Sequence, residues 1–239
     1  MRISAYFTVG EVTPGALTDA TVVVIDVVRA TTSIVEALAN GARGIYPTVS
    51  TEEAVKLAHS LGRDDTLLCG ERKGQKVEGF DLGNSPGDFT REAVEGKRLV
   101  MSTTNGTSAF GLAHESARVL ACAFTNLSAV ASAVEGVEDL VVLCAGKEGH
   151  FSMGDALCAG HLISLVLADR TEEHTLNDAA IAARALAARK PSKRLLGQTA
   201  GGRALIEVGL EADLEICADV DRHGLVAELI DQAITVAGG

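Results

Sequence analysis

Several carboxylates stand inside or shortly after short apolar runs, where they could hold a metal ion or take part in acid–base chemistry. Asp26 interrupts the run Thr-Val-Val-Val-Ile-Asp-Val, and Glu71 and Asp155 follow later runs of the same kind. A buried carboxylate is unfavourable unless it is paired or bound to a metal ion. Oxygen ligands of this type suit Mg²⁺ better than Zn²⁺. The sequence therefore predicts a magnesium site built from Asp26, Glu71, Asp81 and Asp155.

The residues just after Asp26 add a cation and two hydroxyl groups. Arg29 lies three positions further on, and Thr31 and Thr32 follow it. An arginine in this place can bind an anion through two parallel hydrogen bonds. We expect Asp26 to be a metal ligand or nucleophile, Arg29 a catalytic cation, and the threonines substrate ligands or helix caps. The alternative is a structural Asp26–Arg29 ion pair or a helix cap.

The segment Ser-Thr-Thr-Asn-Gly-Thr-Ser at 102–108 joins an apolar run to a helical pattern. Its glycine permits a tight turn, and the following amides open a helix N-terminus, which attracts anions. The pattern of a Walker A loop is absent from it, and the alternative is an ordinary capped turn. The predicted phosphate ligands are Thr103, Thr104, Asn105, Gly106 and Thr107.

A glycine-rich segment at 70–86 places acidic and basic side chains side by side. Glu71 and Asp81 could hold a hard cation, while Arg72 could bind an acidic substrate. The glycines favour a shaped loop over a helix. Phe80 lies between two glycines, so burial of its ring would give this loop a fixed geometry. The alternative is an ordinary solvated loop.

The segment at 145–160 is also rich in glycine. Lys147 could bind an anion, and Asp155 could add an oxygen ligand at the start of a helix; a plain N-cap is the alternative for Asp155. His150 and His161 lack the spacing to a cysteine that a zinc site requires. Both histidines are therefore predicted to be structural or exposed.

These residues must be positioned by an alternation of strands and helices. Runs rich in valine, leucine and isoleucine do not alternate cleanly with polar residues, as expected for strands buried on both faces. The pattern predicts a three-layer α/β fold, with a mostly parallel sheet and helices on both faces. Ligands of such sheets bind at the carboxyl ends of the strands, and we expect all the strands to end, and the residues named above to collect, at the same edge of the sheet. The six runs lie at 21–27, 44–49, 66–70, 98–102, 118–124 and 139–145.

The remaining regions complete a single predicted domain, residues 1–239. Residues 72–97 lack a strong period and are expected to form a loop-rich insertion. The segments 177–190 and 223–236 are predicted to be helical.

Composition disfavours several classes of partner. The 239 residues carry a net charge of −11, so neither a nucleic acid nor an anionic membrane is expected to bind. Aromatic residues make up 3% and tryptophan is absent, which disfavours base stacking. The five scattered cysteines suit a reducing compartment. We expect a cytoplasmic protein with a small phosphorylated, anionic substrate, and the sequence leaves its oligomeric state open.

The motifs together resemble a known family, the 2-phosphosulfolactate phosphatases (the ComB family). The matching segments occur in order between about residues 20 and 160, and the resemblance continues more weakly at 209–221. It implies a Mg²⁺-dependent hydrolase that converts 2-phospho-3-sulfolactate to 3-sulfolactate and phosphate, a reaction of coenzyme M biosynthesis in some organisms. The segments are Ile-Asp-Val-Val-Arg-Ala-Thr-Thr, Gly-Glu-Arg, Gly-Phe-Asp-Leu-Gly-Asn-Ser-Pro, Ser-Thr-Thr-Asn-Gly-Thr and Asp-Ala-Leu-Cys-Ala-Gly.

The resemblance assigns roles to these residues as hypotheses. The four carboxylates named first would be metal ligands or acid–base groups. Arg29 and the loop 103–107 would bind phosphate, and Arg72, Lys73 or Lys147 would meet the sulfonate and carboxylate of the substrate.

Two positions depart from the family pattern. Gly154 stands where the family commonly has a second acid, and Ser108 stands where a basic residue is frequent. The first removes a potential metal ligand, and the second removes a contact to an anionic tail. Two alternatives therefore stay open: a phosphatase for another phosphorylated hydroxy acid, and a non-catalytic anion-binding relative.

Overall fold

One mixed sheet of eleven strands forms the centre of this computed structural model, which describes residues 1–168 and 173–238. The strands are β1 (Arg2–Tyr6), β2 (Thr21–Ile25), β3 (Gly44–Pro47), β4 (Thr66–Arg72), β5 (Gln75–Lys76), β6 (Arg98–Ser102), β7 (Arg118–Cys122), β8 (Asp139–Cys144), β9 (Thr175–Leu176), β10 (Ala227–Ile230) and β11 (Ala233–Val236). Their order across the sheet is β5-β4-β6-β3-β11-β10-β7-β2-β8-β1-β9.

Ten α-helices accompany the sheet in the same described ranges. They are α1 (Ala30–Ala39), α2 (Thr51–Leu61), α3 (Arg91–Val94), α4 (Gly106–Ala113), α5 (Leu127–Ala133), α6 (Met153–Leu167), α7 (Asp178–Leu186), α8 (Lys193–Gly197), α9 (Ala200–Glu207) and α10 (Asp213–Cys217). Short 3-10 helices lie at Val9–Glu11, Pro86–Asp88 and Phe124–Asn126. None of these helices has both the length and the hydropathy needed to cross a membrane.

The sheet consists of two parallel blocks that run in opposite directions. Strands β7, β2, β8, β1 and β9 are mutually parallel and form the β2 block. Strands β4, β6 and β3 are also parallel and form the β4 block. The hairpin β10–β11 lies between the blocks and pairs antiparallel with β7 on one side and β3 on the other. The mostly parallel sheet is confirmed, but the expectation that all strands end at one edge is wrong.

The hairpin that separates the blocks comes from a segment predicted to be helical. Residues 227–230 and 233–236 form antiparallel strands, joined by a turn in which Asp231 has a positive φ of 56°. The prediction of a helix over 223–236 is therefore wrong. The β-branched residues Ile230, Ile234 and their neighbours favour strands, and aspartate tolerates the left-handed turn conformation.

Helices cover both faces of the sheet, as a three-layer fold requires. Strand β2 is buried along its whole length, and its alternate residues face opposite sides. Val22 and Val24 belong to an apolar cluster with Ile34 of α1 and Phe110 of α4. Val23 belongs to a second cluster, with residues of α5, α6 and α7. The predicted three-layer architecture is confirmed.

Helices α1 and α4 bridge the two blocks. The apolar cluster around them contains Leu143 of the β2 block together with Ile45 and Met101 of the β4 block. Helix α4 follows β6 directly and packs against β2, β3 and α1. The start of α4 thereby brings residues of the β4 block to the carboxyl end of β2.

The segment 72–97 has only short elements, β5, the 3-10 helix at 86–88 and α3. Its aromatic side chains are nevertheless buried: Phe80 packs with residues of α2, and Phe89 lies in the core beneath α1. The burial of Phe80 confirms that this insertion has a fixed geometry.

Candidate active site

Asp26 lies directly after β2 and is the central carboxylate of the site. Its side chain is buried, and the backbone amides of Ala30 and Gly106 favour its charged form. Burial, followed by the nearby charge of Glu71, raises the pKa of Asp26 to about 7. This carboxyl group can therefore gain or lose a proton near neutral pH.

Gly106 allows this close contact because it has no side chain. A Cβ at this position would lie 2.5 Å from Cβ of Ala30 and 2.8 Å from Oδ2 of Asp26. Both distances are shorter than carbon atoms tolerate without displacement. A glycine at the first residue of α4 is thus what lets the start of this helix approach the carboxylate of Asp26.

Thr31 and Thr32 close the turn between β2 and α1. The hydroxyl of Thr31 donates to the carbonyl of Asp26 at 2.8 Å and accepts from the amide of Asp26 at 3.0 Å. The hydroxyl of Thr32 donates to the carbonyl of Val27 at 2.8 Å. Both hydroxyls are buried and bonded to the backbone of this turn. The N-cap position of α1 is Arg29, so the prediction that these threonines cap the helix is wrong.

Glu71 reaches the site from the other block of the sheet. Its Oε1 accepts from the amide of Thr104 at 2.8 Å, and its Oε2 accepts from the amide of Gly74 at 2.7 Å. Gly70, just before it, would place a Cβ 2.1 Å from the carbonyl oxygen of Ser102. A glycine there lets the end of β4 lie close against β6, which brings Glu71 to the loop after β6.

Asp155 lies in the first turn of α6, close enough to Asp26 for their charges to interact. Its Oδ1 accepts from the amide of Val27 at 2.9 Å. The N-cap of α6 is Ser152, so the plain N-cap alternative for Asp155 is wrong. Burial, and then the charge of Asp26, raises the pKa of Asp155 well above its usual range. Like-charged groups are thus crowded in a buried place.

The loop 103–107 opens helix α4, as predicted, but the protein already uses most of its amides. The amide of Thr104 donates to Glu71, and that of Gly106 favours the charged form of Asp26. The amide of Thr107 donates to the hydroxyl of Thr103 at 3.2 Å. The positive end of α4 therefore stabilises the protein's own carboxylates. The exposed hydroxyl of Thr104 stays available to a ligand.

Asn105, in the same loop, is half-buried and connects two predicted ligand segments. Its Oδ1 accepts from the amide of Glu148 at 2.9 Å. This bond places the loop after β6 beside the loop after β8. Residues of both blocks therefore meet at one place around Asp26, as the chemistry predicted from the sequence requires.

Arg29 is buried, but its partner is not Asp26. Its Nη1 donates to Oδ2 of Asp213 at 2.8 Å, and its Nη2 donates to the carbonyl of Gly74 at 2.7 Å. The Asp26–Arg29 ion pair considered from the sequence is therefore not formed. Asp213 is not among the site residues predicted from the sequence, although it lies in the segment Gly-Leu-Glu-Ala-Asp-Leu-Glu, which carries the weaker part of the resemblance.

A family model described as 2-phosphosulpholactate phosphatase matches residues 6–232. The chain belongs to this family. Its members are phosphoric monoester hydrolases, and the chain is an enzyme of this class. The family resemblance predicted from the sequence motifs is confirmed.

Relatives named probable 2-phosphosulfolactate phosphatase agree with this result. That of Thermotoga petrophila is 38% identical over 213 residues, which cover 88% of this chain and 89% of the relative. That of Clostridium acetobutylicum is 36% identical over 230 residues, with coverage of 95% and 97%. That of Clostridium perfringens strain 13 is 37% identical over an alignment of 245 residues, with coverage of 100% and 98%.

Three residues of this chain that were predicted to lie in the site are held by other contacts. Arg72 donates to the carbonyl of Ser102 at 3.1 Å and to its hydroxyl at 2.9 Å, and so ties β4 to β6. Lys147 pairs with the exposed Glu148 at 3.3 Å.

Asp81, the third of these residues, bonds to Arg63 and to the amide of Leu68. Its 3.0 Å ion pair with Arg63 lies at the exposed surface. The contacts of Asp81 are thus with the end of α2 and with β4, and none in the described chain joins it to Asp26.

The four carboxylates predicted as magnesium ligands do not form one preformed cage. Within residues 1–168 and 173–238, no three His, Cys, Asp or Glu side chains are grouped closely enough to hold a metal ion. Asp81 is engaged elsewhere, and backbone amides hold the others. The remaining donor set still suits Mg²⁺, which keeps several waters and is usually held by one or two carboxylates. The mutual repulsion among Asp26, Glu71 and Asp155 is the feature that a cation would relieve.

The two departures from the family pattern lie in the first turns of α6 and α4. A Cβ at the buried Gly154 would lie 3.5 Å from Cδ2 of Leu196, which is ordinary contact with an apolar neighbour. Ser108 is exposed on α4. A hollow of about 280 Å³ opens beside Arg29, and Gly74 and Ser85 also line it.

Proposed function

We propose that this chain is a Mg²⁺-dependent phosphatase that hydrolyses 2-phospho-3-sulfolactate to 3-sulfolactate and phosphate, the reaction type of coenzyme M biosynthesis. The observation that carries the proposal is the buried Asp26, whose pKa of about 7 arises from burial and from Glu71. A carboxyl group with such a pKa suits acid–base or ligand chemistry at neutral pH. The name and coverage of the relatives support the choice of substrate.

Charge balance supports a cation at this place. Arg29 is paired with Asp213 and offsets the charge of Asp26 only in part, because burial and the charge of Glu71 still raise the pKa of Asp26. We infer that Asp26 and Glu71 would hold the ion, with water and substrate oxygens as the other ligands. When bound, Mg²⁺ would neutralise charge on the phosphoryl group and lower the pKa of a water molecule.

The chain's own residues orient the substrate and the carboxylates. The amides of Ala30 and Gly106 hold Asp26, and those of Gly74 and Thr104 hold Glu71. Preorganised dipoles of this kind lower the reorganisation needed during the reaction. The hydroxyl of Thr104, which faces solvent, is suited to donate to a phosphate oxygen.

The proposal extends to the location and partners of the enzyme. All five cysteines are free and buried, which supports a reducing compartment such as the cytoplasm. The substrate class is a small phosphorylated anion, in agreement with family membership.

Phosphate release from 2-phospho-3-sulfolactate by the purified protein tests the proposal. We expect release with Mg²⁺, loss of release with EDTA, and recovery when Mg²⁺ is added back. A panel of other phosphorylated hydroxy acids tests the alternative substrate, because a better substrate in the panel would replace 2-phospho-3-sulfolactate. Thermal stabilisation by these compounds without any phosphate release would instead establish a non-catalytic anion-binding protein.

A further inference from the structure

Asp213 is the buried counter-ion of Arg29, although 184 positions separate them in the chain. Its Oδ2 accepts from Nη1 of Arg29 at 2.8 Å, and its Oδ1 accepts from the hydroxyl of Ser85 at 2.6 Å. The side chains of the ion pair are only 3% and 8% exposed. Both oxygens of Asp213 are thus engaged, and its orientation is fixed by two different parts of the chain.

The guanidinium of Arg29 is fixed from a second direction. Its Nη2 donates to the carbonyl of Gly74 at 2.7 Å, and the amide of Gly74 donates to Oε2 of Glu71 at 2.7 Å. Because the guanidinium is planar, these bonds at Nη1 and Nη2 define its plane. Asp213 therefore joins a continuous chain of bonds that ends at Glu71.

An arginine buried without a counter-ion is strongly unfavourable, so Arg29 would pair with another carboxylate if Asp213 were neutral. Asp26 lies three positions before Arg29 and already experiences its charge. An ion pair between these two residues would neutralise the carboxylate and occupy the oxygens that the reaction needs.

We propose that Asp213 is a positioning residue that holds Arg29 away from Asp26 and so keeps the Asp26 carboxylate available for reaction. The inference rests on the proposed function for its kinetic consequence, but its structural consequence is independent of the substrate. Asp213 does not touch the reacting atoms in this account. It acts only through the orientation of Arg29.

The structure of the Asp213→Asn variant is the first test. Asparagine keeps the shape and an acceptor for Ser85 but removes the charge. We expect a guanidinium nitrogen of Arg29 to move to within about 3.2 Å of an Asp26 oxygen. An unchanged Arg29 side chain would overturn the proposal whether or not the wild-type protein hydrolyses 2-phospho-3-sulfolactate.

Kinetics provide the second test, with phosphate release from 2-phospho-3-sulfolactate in Mg²⁺. We expect Asp213→Asn to lower kcat by about 100-fold with a smaller change in KM, because a misplaced group impairs the reacting geometry. In the Arg29→Met background, Asp213→Asn should cause no further loss. If the loss of kcat in the double variant equals the product of the losses in the two single variants, Asp213 acts independently of Arg29 and the proposal is wrong.

Glu228 provides a matched control for general structural damage. Like Asp213, it pairs with an arginine, Arg118, at 2.8 Å, and that arginine also donates to a backbone carbonyl, that of Ala133. We expect Glu228→Gln to lower Tm and to leave kcat/KM within about twofold. An equal loss of kcat in this variant would contradict a specific role for Asp213.

If Asp213→Asn does not fold, Ser85→Ala replaces it as the test variant. This change removes only the second bond to Asp213. We expect a severalfold lower kcat and a modestly lower Tm, because a buried oxygen of Asp213 loses its partner. A wild-type kcat would refute the positioning role.

Discussion

The two sides of the site contain similarly buried carboxylates that are held in different ways. On the β2 side, Asp26 and Asp155 crowd one another, and burial together with neighbouring charge raises the pKa of both. On the β4 side, each oxygen of Glu71 holds one backbone amide, from Gly74 and Thr104. The comparison indicates that the first side is built to exchange a proton near neutral pH, and that Glu71 on the second side holds two loops in place in addition to its proposed contact with the ion.

Substitution of one carboxylate on each side would separate these roles and should give the largest effects. We expect Asp26→Asn to lower kcat by about 10³-fold, because it removes the titrating group, with no loss of Tm at pH 7. We expect Glu71→Gln to lower stability by about 1–3 kcal/mol, because its NH₂ group would face one of the two amides. Phosphate release and thermal unfolding measure the two effects. Equal Tm losses in both variants would remove the distinction between the sides.

The fold class and the residues on the β2 side could be predicted from the sequence, because each depends on local patterns. Strands buried on both faces have continuous apolar runs in the sequence, and Asp26 interrupts one of these runs. The relation between the two sides could not be predicted. It depends on the β10–β11 hairpin, whose segment has a weak and ambiguous pattern, and on contacts such as Arg29–Asp213 across 184 positions.

Occupied amides are the other feature that local patterns do not reveal. The segment 102–108 correctly predicts a helix N-terminus. The anions at that terminus proved to be the carboxylates of Asp26 and Glu71, which come from distant parts of the chain. A sequence motif identifies a donor, but the partner of that donor is decided by the three-dimensional packing.

Two glycines of α4 sharpen the comparison, because only one of them meets Asp26. Gly106→Ala places a Cβ 2.8 Å from Oδ2 of Asp26 and 2.5 Å from Cβ of Ala30, so we expect at least about 10-fold lower kcat and a lower Tm. At the exposed Gly111, a Cβ would meet only Cγ1 of Val49, at 3.7 Å. Gly111→Ala should keep kcat and stabilise the helix by up to about 1 kcal/mol. Equal losses of kcat in the two variants would contradict the close contact at Gly106.

The raised pKa of Asp26 predicts how stability depends on pH without Mg²⁺. The folded chain binds this proton more tightly than the unfolded chain, whose aspartate has a pKa near 3.8. The stabilisation by the neutral carboxyl is complete below that value and is lost as the pH rises through about 7. The Asp26→Asn variant has no carboxyl group to ionise at this position. In EDTA, its Tm should therefore exceed that of the wild type by more at pH 8 than at pH 5. A difference in Tm that is independent of pH would show that the pKa of Asp26 is not raised in the folded chain.

The smallest expected effect concerns Asp81, which the sequence groups with the other carboxylates and the structure does not. Asp81 accepts from Arg63 and from the amide of Leu68, and the ion pair is exposed. Exposed ion pairs contribute about 0–1 kcal/mol, and asparagine retains an acceptor for the amide. We therefore expect Asp81→Asn to leave kcat and the Mg²⁺ dependence of phosphate release within about twofold of wild type. If this variant needs a much higher Mg²⁺ concentration for phosphate release, Asp81 contributes to metal binding. The metal site would then include the loop after β5.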